Sequence, residues 1–464
     1  MSGSTIEQYI PQTHWAPLSQ LDGSNKWAPY RIQSAQGDYI TLESGQRIID
    51  ASSSWWCKLL GHGHPALKQA LFKQAEQFEH VVPADTTNDV IEQLSHELTQ
   101  LMPHFTKVFY AGDGACAVEI AMKMSLQTRT TRKQSRTQVV SLKGAYHGET
   151  LGCLGVTQIP RFRHAFEHAL SPQPVIQDIP YVNSMDDPLW KDASVYWERA
   201  EKQLTPIAHT LTAVIVEPIL QAANHMKIYS QDFLRRLCLW AKAHDIHVIV
   251  DEIATGLGRT GKMLACEYAM TPHGHPALDA GSPSNTAAPS GDTGSEAGMT
   301  TWQPDFLCLG KGLTGGWIPM SAVLTTDNIH QHFINTPFYH SHTYAGNALA
   351  ASVALATLNV LKQENLVERA NVIGTWMRDA MQSIADQTGS LAHVRQIGAV
   401  VAADLIHEDP NFPIGQHVYR KAVELGALLR PLGNTLYWLP PLNVRMQTLE
   451  DLKAITQQAI TWCA

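Results

Sequence analysis

The sequence lacks any uninterrupted apolar run of the roughly 18 residues that a membrane span requires, and none of its 464 residues falls in a long basic stretch. With a net charge of −8, nucleic acid and anionic membrane are poor candidates for the main partner, because both reward clustered Lys and Arg. A small metabolite is expected instead. Paired-cysteine motifs are missing as well. Cys57, Cys116, Cys153, Cys238, Cys266, Cys308 and Cys463 are odd in number, scattered, and include no C-x-x-C pair. That pattern points to reduced thiols in a cytoplasm rather than to a disulfide framework. The opening MSGSTIEQYIPQTH has no basic segment followed by an apolar one, so a soluble, cytoplasmic protein is expected. No internal repeat is evident.

What the sequence does have is core-forming material: 44% of it is hydrophobic, enough for one large unit or two to three packed domains. In NDVIEQLSHELTQLM, residues Val90, Ile91, Leu94, Leu98 and Leu101 fall on one helical face behind the N-caps Thr87 and Asn88. Short continuous apolar runs follow, QVVSL (138–142), AVIVEP (213–218), HVIVDE (247–252) and DFLCLG (305–310). Such runs suit parallel strands covered on both faces, and QDFLRRLCLWAKAHD (231–245) suits a crossover helix between two of them. The expected fold is α/β, with a large domain over 61–345 built on a mainly parallel sheet. A smaller α+β domain is expected from both chain ends, 1–60 and 346–464, using the strand-like stretches DYITLESGQRIID, IGAVVAADLI (397–406) and ALLRPLGNTLYWLP (427–440). The stretch 271–303, rich in Gly, Ser, Pro, Thr and Ala, is read as a flexible surface insertion.

Three places could carry chemistry. Lys311 directly follows an apolar run and precedes glycines, which puts its amine near the carboxyl end of a sheet, where open α/β folds bind ligands. Burial there would lower its pKa and free the amine as a nucleophile toward an aldehyde; the plainer alternative is a solvated loop lysine. Asp251 ends the run HVIVD, a costly place for a carboxylate unless a cation or donor meets it. The protonated ring nitrogen of pyridoxal phosphate is such a partner, and a helix cap is the plainer reading. In FYAGDGACAVEIAMKM a turn at Asp113-Gly114-Ala115 leads into helical spacing, an arrangement that can bind phosphate through backbone amides but is more often a tight connection. GLGRTG, Gly256 to Gly261, satisfies G-x-G-x-x-G, yet five residues separate it from the strand end and the expected acid would fall in the low-complexity stretch, so a dinucleotide site is not expected. The pairs His62/His64 and His340/His342 lack zinc spacing and are read as ordinary polar histidines, with no metal expected. Trp55 and Trp56, taken alone, read as a packing cluster.

Taken together, AVIVEPI, VIVDEIATGLGRTGK, CLGKGLTGG and HTYAGNALA occur in the order and spacing of the class III aminotransferases, and the chain resembles that family over nearly its whole length. The resemblance implies a fold-type I enzyme that uses pyridoxal 5'-phosphate. Lys311 would bond the cofactor and move the proton, Asp251 would hold its ring nitrogen, and Tyr146 would stack on its ring. Gly114 and Ala115 would meet the phosphate, joined by His342 and Thr343 from a partner subunit, which implies a homodimer. SSWW, WAPY, GAYHGET and LRPLGNTLYWLPP narrow the likeness to members that move an amine from S-adenosylmethionine to 8-amino-7-oxononanoate in biotin synthesis. There Tyr30, Trp55, Trp56, Tyr146, Ser341, Arg430 and Tyr437 would form the substrate pocket, with the indoles serving a sulfonium and an aliphatic chain and Arg430 taking a carboxylate. Left open are lysine as donor, an ω-amine or β-amino acid transaminase, and an aminomutase. Ala115, Glu149, Ser341 and His342 depart from the usual family residues.

Overall fold

The structure, a computed structural model, describes residue 17 and residues 29–270, 301–409 and 411–463. Its centre is a seven-stranded sheet in the order 107–111, 321–325, 306–309, 247–251, 211–216, 138–142 and 175–176. The last five strands are mutually parallel, while Ser321–Thr325 runs antiparallel to both of its neighbours. Strands Leu211–Val216, His247–Asp251 and Phe306–Leu309 are buried at every residue, as unbroken apolar runs covered on both faces must be. The chain is thus α/β with a mainly parallel central sheet.

Helices follow their local signals. Gln231–Ala243 starts at Ser230, whose side chain accepts from the Phe233 N–H, and Asp89–Thr99 starts at Asn88, which accepts from Ile91; each cap satisfies an otherwise orphaned donor. The helix Gly114–Thr131 is capped by Asp113 through the Cys116 N–H.

Of three smaller sheets, one joins strands from both ends of the described chain and another is built from its C-terminal part alone. Ile32–Gln36, Tyr39–Leu42 and Arg47–Asp50 form an antiparallel meander, which Ala427–Leu428 joins in parallel to Arg47–Asp50. The second contains Leu391–Ile397, Val400–Leu405 and Thr435–Trp438. The run IGAVVAADLI is therefore the corner of a hairpin rather than one strand: the chain reverses at Gly398, where φ is +48°, and the apolar pattern continues through the corner because both arms are buried. Likewise 427–440 supplies strands to two different sheets. Most of the low-complexity stretch, 271–300, lies outside the described residues; Trp302 near its end is buried and donates to the Ala269 carbonyl. Among the described residues no helix is long and apolar enough to cross a membrane, and all seven cysteines are free thiols.

The long helix Leu366–Thr388 packs directly on the hairpin corner, where a methyl group added at Gly374 would lie 1.8 Å from the Gly398 carbonyl oxygen. Gly374→Ala must force two backbones apart and is expected to cost about 2 kcal/mol, read as a lower urea midpoint than that of the unaltered chain.

Candidate active site

Side chains with chemical potential gather at the carboxyl ends of the parallel strands, where this architecture leaves its crevice. Asp251 is the last residue of its strand, Glu217 directly follows Leu211–Val216, Tyr146 to Glu149 follow Gln138–Leu142, and Lys311 comes two residues after Leu309. A cavity of about 410 Å³ is lined by Lys311, Asp251, Glu217, Tyr146 and His147, with Gly114 and Ala115 at its edge. It continues into an outer cavity of about 560 Å³ that shares Lys311, Tyr146, Trp56 and Glu149 and adds Trp55, Arg161, Tyr419, Arg420 and Arg430.

Asp251 is held rather than free. One carboxylate oxygen stands 2.8 Å from His147 Nδ1 and the other accepts from the Ile253 N–H at 3.2 Å. With His147 donating through Nδ1, its Nε2 is buried and has no hydrogen-bond partner among the described residues. Burial lowers the pKa of Lys311, against the pull of Asp251, Glu217 and Cys57, so its neutral amine is favoured relative to a lysine in water. Glu217 is pushed well above the usual carboxylate range by burial and by the neighbouring Asp251 charge, although the Tyr146 N–H donates to it at 2.8 Å. Tyr146 donates its hydroxyl to Glu149 at 2.8 Å, and its ring packs against Phe162 with centroids 5.2 Å apart.

The two tryptophans do different things. Trp56 is buried, its ring centroid 5.5 Å from Lys311 Nζ, and its indole N–H donates to the Tyr437 hydroxyl at 3.1 Å. Trp55 is 41% exposed, and the Arg430 guanidinium lies over its ring at 3.8 Å. They occupy a left-handed turn: φ is +49°, +46°, +69° and +73° at Ser53, Ser54, Trp55 and Trp56. Each such non-glycine residue costs about 1 kcal/mol unless its surroundings enforce it.

Not every residue proposed from the sequence lines a cavity. Tyr437 stands behind Trp56, fully buried. Tyr30 lies beside the outer mouth, edge-on to Tyr419 at 6.4 Å and under the Arg420 guanidinium at 5.3 Å. Ser341, His342 and Thr343 lie outside both cavities of a single chain; His342 packs on His340 with ring centroids 4.7 Å apart, and the Thr343 carbonyl is 2.7 Å from His80 Nε2. Gly256 to Gly261 starts no helix: Gly261 accepts from Asn371, and Arg259 is buried with a guanidinium N–H donating to the Pro440 carbonyl. His147 and Glu217 were not singled out from the sequence, although both sit inside motifs that were; Glu217 carries the same signal as Asp251, an acid closing a buried apolar run.

A lysine amine, a fixed carboxylate and the first turn of an 18-residue helix thus border one cavity. First-turn amides of a helix lack intrahelical partners and favour anions. This set of donors and acceptors fits a ligand with an aldehyde, a protonated ring nitrogen and a phosphate, which is what pyridoxal phosphate presents.

Glu217 offers a check on the electrostatics. A raised folded-state pKa means that its contribution to stability is complete below the ordinary carboxylate range and is lost as pH rises through the folded value. Glu217→Gln is expected to flatten the fall of the thermal midpoint from mildly acidic to alkaline pH, measured beside the unaltered protein.

The family profile described as aminotransferase class-III matches residues 22–275 and 290–460. The adenosylmethionine-8-amino-7-oxononanoate aminotransferase of Helicobacter pylori is 33% identical over 455 residues, covering 95% of this chain and 93% of that protein. The enzyme of the same name from Synechococcus elongatus is 32% identical, covering 95% and 96%. Among solved structures, the Methanocaldococcus jannaschii enzyme of that name superposes with a TM-score of 0.82 at 29% identity, covering 97% of each chain. A pyridoxal-phosphate-bound amine transaminase from an uncultivated Pseudomonas species gives 0.85 at 25% identity, covering 98% and 100%. With the profile spanning nearly all of the sequence and the cavity chemistry in agreement, the chain belongs to the class III aminotransferases and uses pyridoxal phosphate.

Proposed function

We propose that this chain transfers the amino group of S-adenosylmethionine to 8-amino-7-oxononanoate, giving 7,8-diaminononanoate for biotin synthesis. The relatives named above carry that activity in their names. The observation that carries the reading here is the outer cavity wall, with Arg430 stacked on Trp55 and Trp56 facing Lys311. A long aliphatic acid needs an apolar path ending in a carboxylate fork, and a sulfonium is attracted to an indole face.

Bound pyridoxal phosphate supplies the electron sink that stabilises negative charge at the amine-bearing carbon. Asp251, oriented by His147, would hold the proton on the ring nitrogen. Tyr146 would cover the ring, and the Gly114 and Ala115 amides would meet the phosphate, Ala115 having no hydroxyl to add. Lys311, whose amine burial favours in the neutral form, would hold the cofactor through its aldehyde and, once freed, its Nζ would carry the proton taken from the amine-bearing carbon. Donor and acceptor would use this one pocket in turn. Arg430 takes the carboxylate, Tyr30 borders the mouth, and Tyr437 fixes the Trp56 indole. Ser341, His342 and Thr343, remote from the cavities of their own chain, complete the site of a second copy in a homodimer. On this reading a large domain spans 61–345 and a small one combines 1–60 with 346–464, of which 1–16, 18–28, 271–300, 410 and 464 lie outside the described residues. A cytoplasmic setting suits seven free thiols.

The test is the donor half-reaction. The holoenzyme is expected to lose its visible cofactor absorbance with S-adenosylmethionine and to regain it with 8-amino-7-oxononanoate; response to lysine or β-alanine alone overturns the donor assignment. Arg430→Ala is expected to raise the KM for 8-amino-7-oxononanoate about a hundredfold, the scale of a lost charge-assisted pair, with hydroxylamine release of the cofactor unchanged.

A further inference from the structure

Beneath Trp55 and Trp56 lies a buried carboxylate that the transamination does not use. Asp50 ends its strand with no solvent exposure. Its Oδ1 accepts from the Ser54 N–H at 3.0 Å and, more weakly, from Ser52 at 3.3 Å; its Oδ2 accepts from Ser54 Oγ at 2.6 Å and stands 2.8 Å from His62 Nε2. Burial works against the charge, but the hydrogen bonds from His62 and Ser54 hold the carboxyl below its usual range. Within the same turn, Ser53 Oγ donates to the Leu439 carbonyl at 2.7 Å, tying the turn to the segment that carries Arg430 and Tyr437. These contacts surround the four left-handed residues that present both indoles. His62, read from the sequence as an ordinary polar histidine, is part of this assembly.

We propose that Asp50, with His62 and Ser54, is a positioning device for substrate recognition: it locks the Ser53–Trp56 turn left-handed, so that Trp55 meets Arg430 and Trp56 faces Lys311. The proposal rests on the reading of the two tryptophans as a substrate wall. Neither oxygen of Asp50 is left to bind a ligand, so its influence on the reaction passes through the turn. Released from Asp50, L-residues fall back to right-handed or extended backbone, which swings both rings and separates Trp55 from its guanidinium.

Two variants of the holoenzyme separate positioning from mere support. Asp50→Asn keeps the shape but puts at its second atom an amide nitrogen, which accepts from neither Ser54 nor His62. Ser54→Gly removes the hydroxyl contact while placing at φ +46° the residue that adopts it without strain, so its thermal midpoint is expected not to fall. In Asp50→Asn the KM for S-adenosylmethionine is expected to rise about tenfold with kcat within about twofold, and the near-ultraviolet dichroism of the indoles to weaken; in Ser54→Gly, which keeps the backbone N–H to Asp50, both are expected to stay close to those of the unaltered enzyme. Release of the cofactor by hydroxylamine, too small to need the wall, stays unchanged. An unchanged KM in Asp50→Asn, or equal losses toward hydroxylamine and S-adenosylmethionine, overturns the proposal. Lysine is run in parallel: an unaltered enzyme that responds only to lysine changes the donor, and the same KM comparison is then read with lysine. An unaltered enzyme that responds to neither overturns the functional reading and this proposal together.

Discussion

A carboxylate placed at the end of a fully buried strand has to be compensated, and much of the molecule around the site is arranged to do so. In a medium of low effective dielectric a single unpaired charge outweighs many packing contacts. Asp251 is met by His147 and by the Ile253 amide, and Glu217, close enough to feel its charge, is held toward the neutral form. Lys311 approaches from the neighbouring strand, in register with Asp251 through Cys308. The same contacts that make the buried acid tolerable also fix its direction toward the cavity that Lys311 shares.

That economy explains what could be read from the sequence. Lys311 and Asp251 were legible because each interrupts a continuous apolar run at its carboxyl end, and the parallel strands were legible because burial on both faces leaves no alternation. Glu217 had the same signature and was passed over. His147 is hidden for a different reason: it lies inside GAYHGET, but nothing in that stretch points to its partner 104 residues away. The antiparallel strand Ser321–Thr325 escaped notice between a glycine-rich loop and a short helix, too brief for a pattern to emerge.

The wall around the outer cavity was legible only as composition. Trp55, Trp56 and Arg430 can be picked out in the sequence, but their arrangement depends on contacts across the chain. Tyr437 supports Trp56 from behind instead of lining the cavity. The left-handed turn carries no glycine to announce it, because its conformation is imposed by Asp50 and His62 rather than by local preference.

The residues that face the reacting centre and those that frame the outer cavity come from different stretches of chain. Lys311, Asp251, Glu217 and Tyr146 hang from the central sheet, whereas Trp55, Trp56 and Arg430 belong to segments joined by pairing of Ala427–Leu428 with Arg47–Asp50. Descent with modification can therefore act on the two independently. Paired changes near residues 50–56 and 427–439 can reshape the outer cavity while the side chains that hang from the central sheet stay as they are.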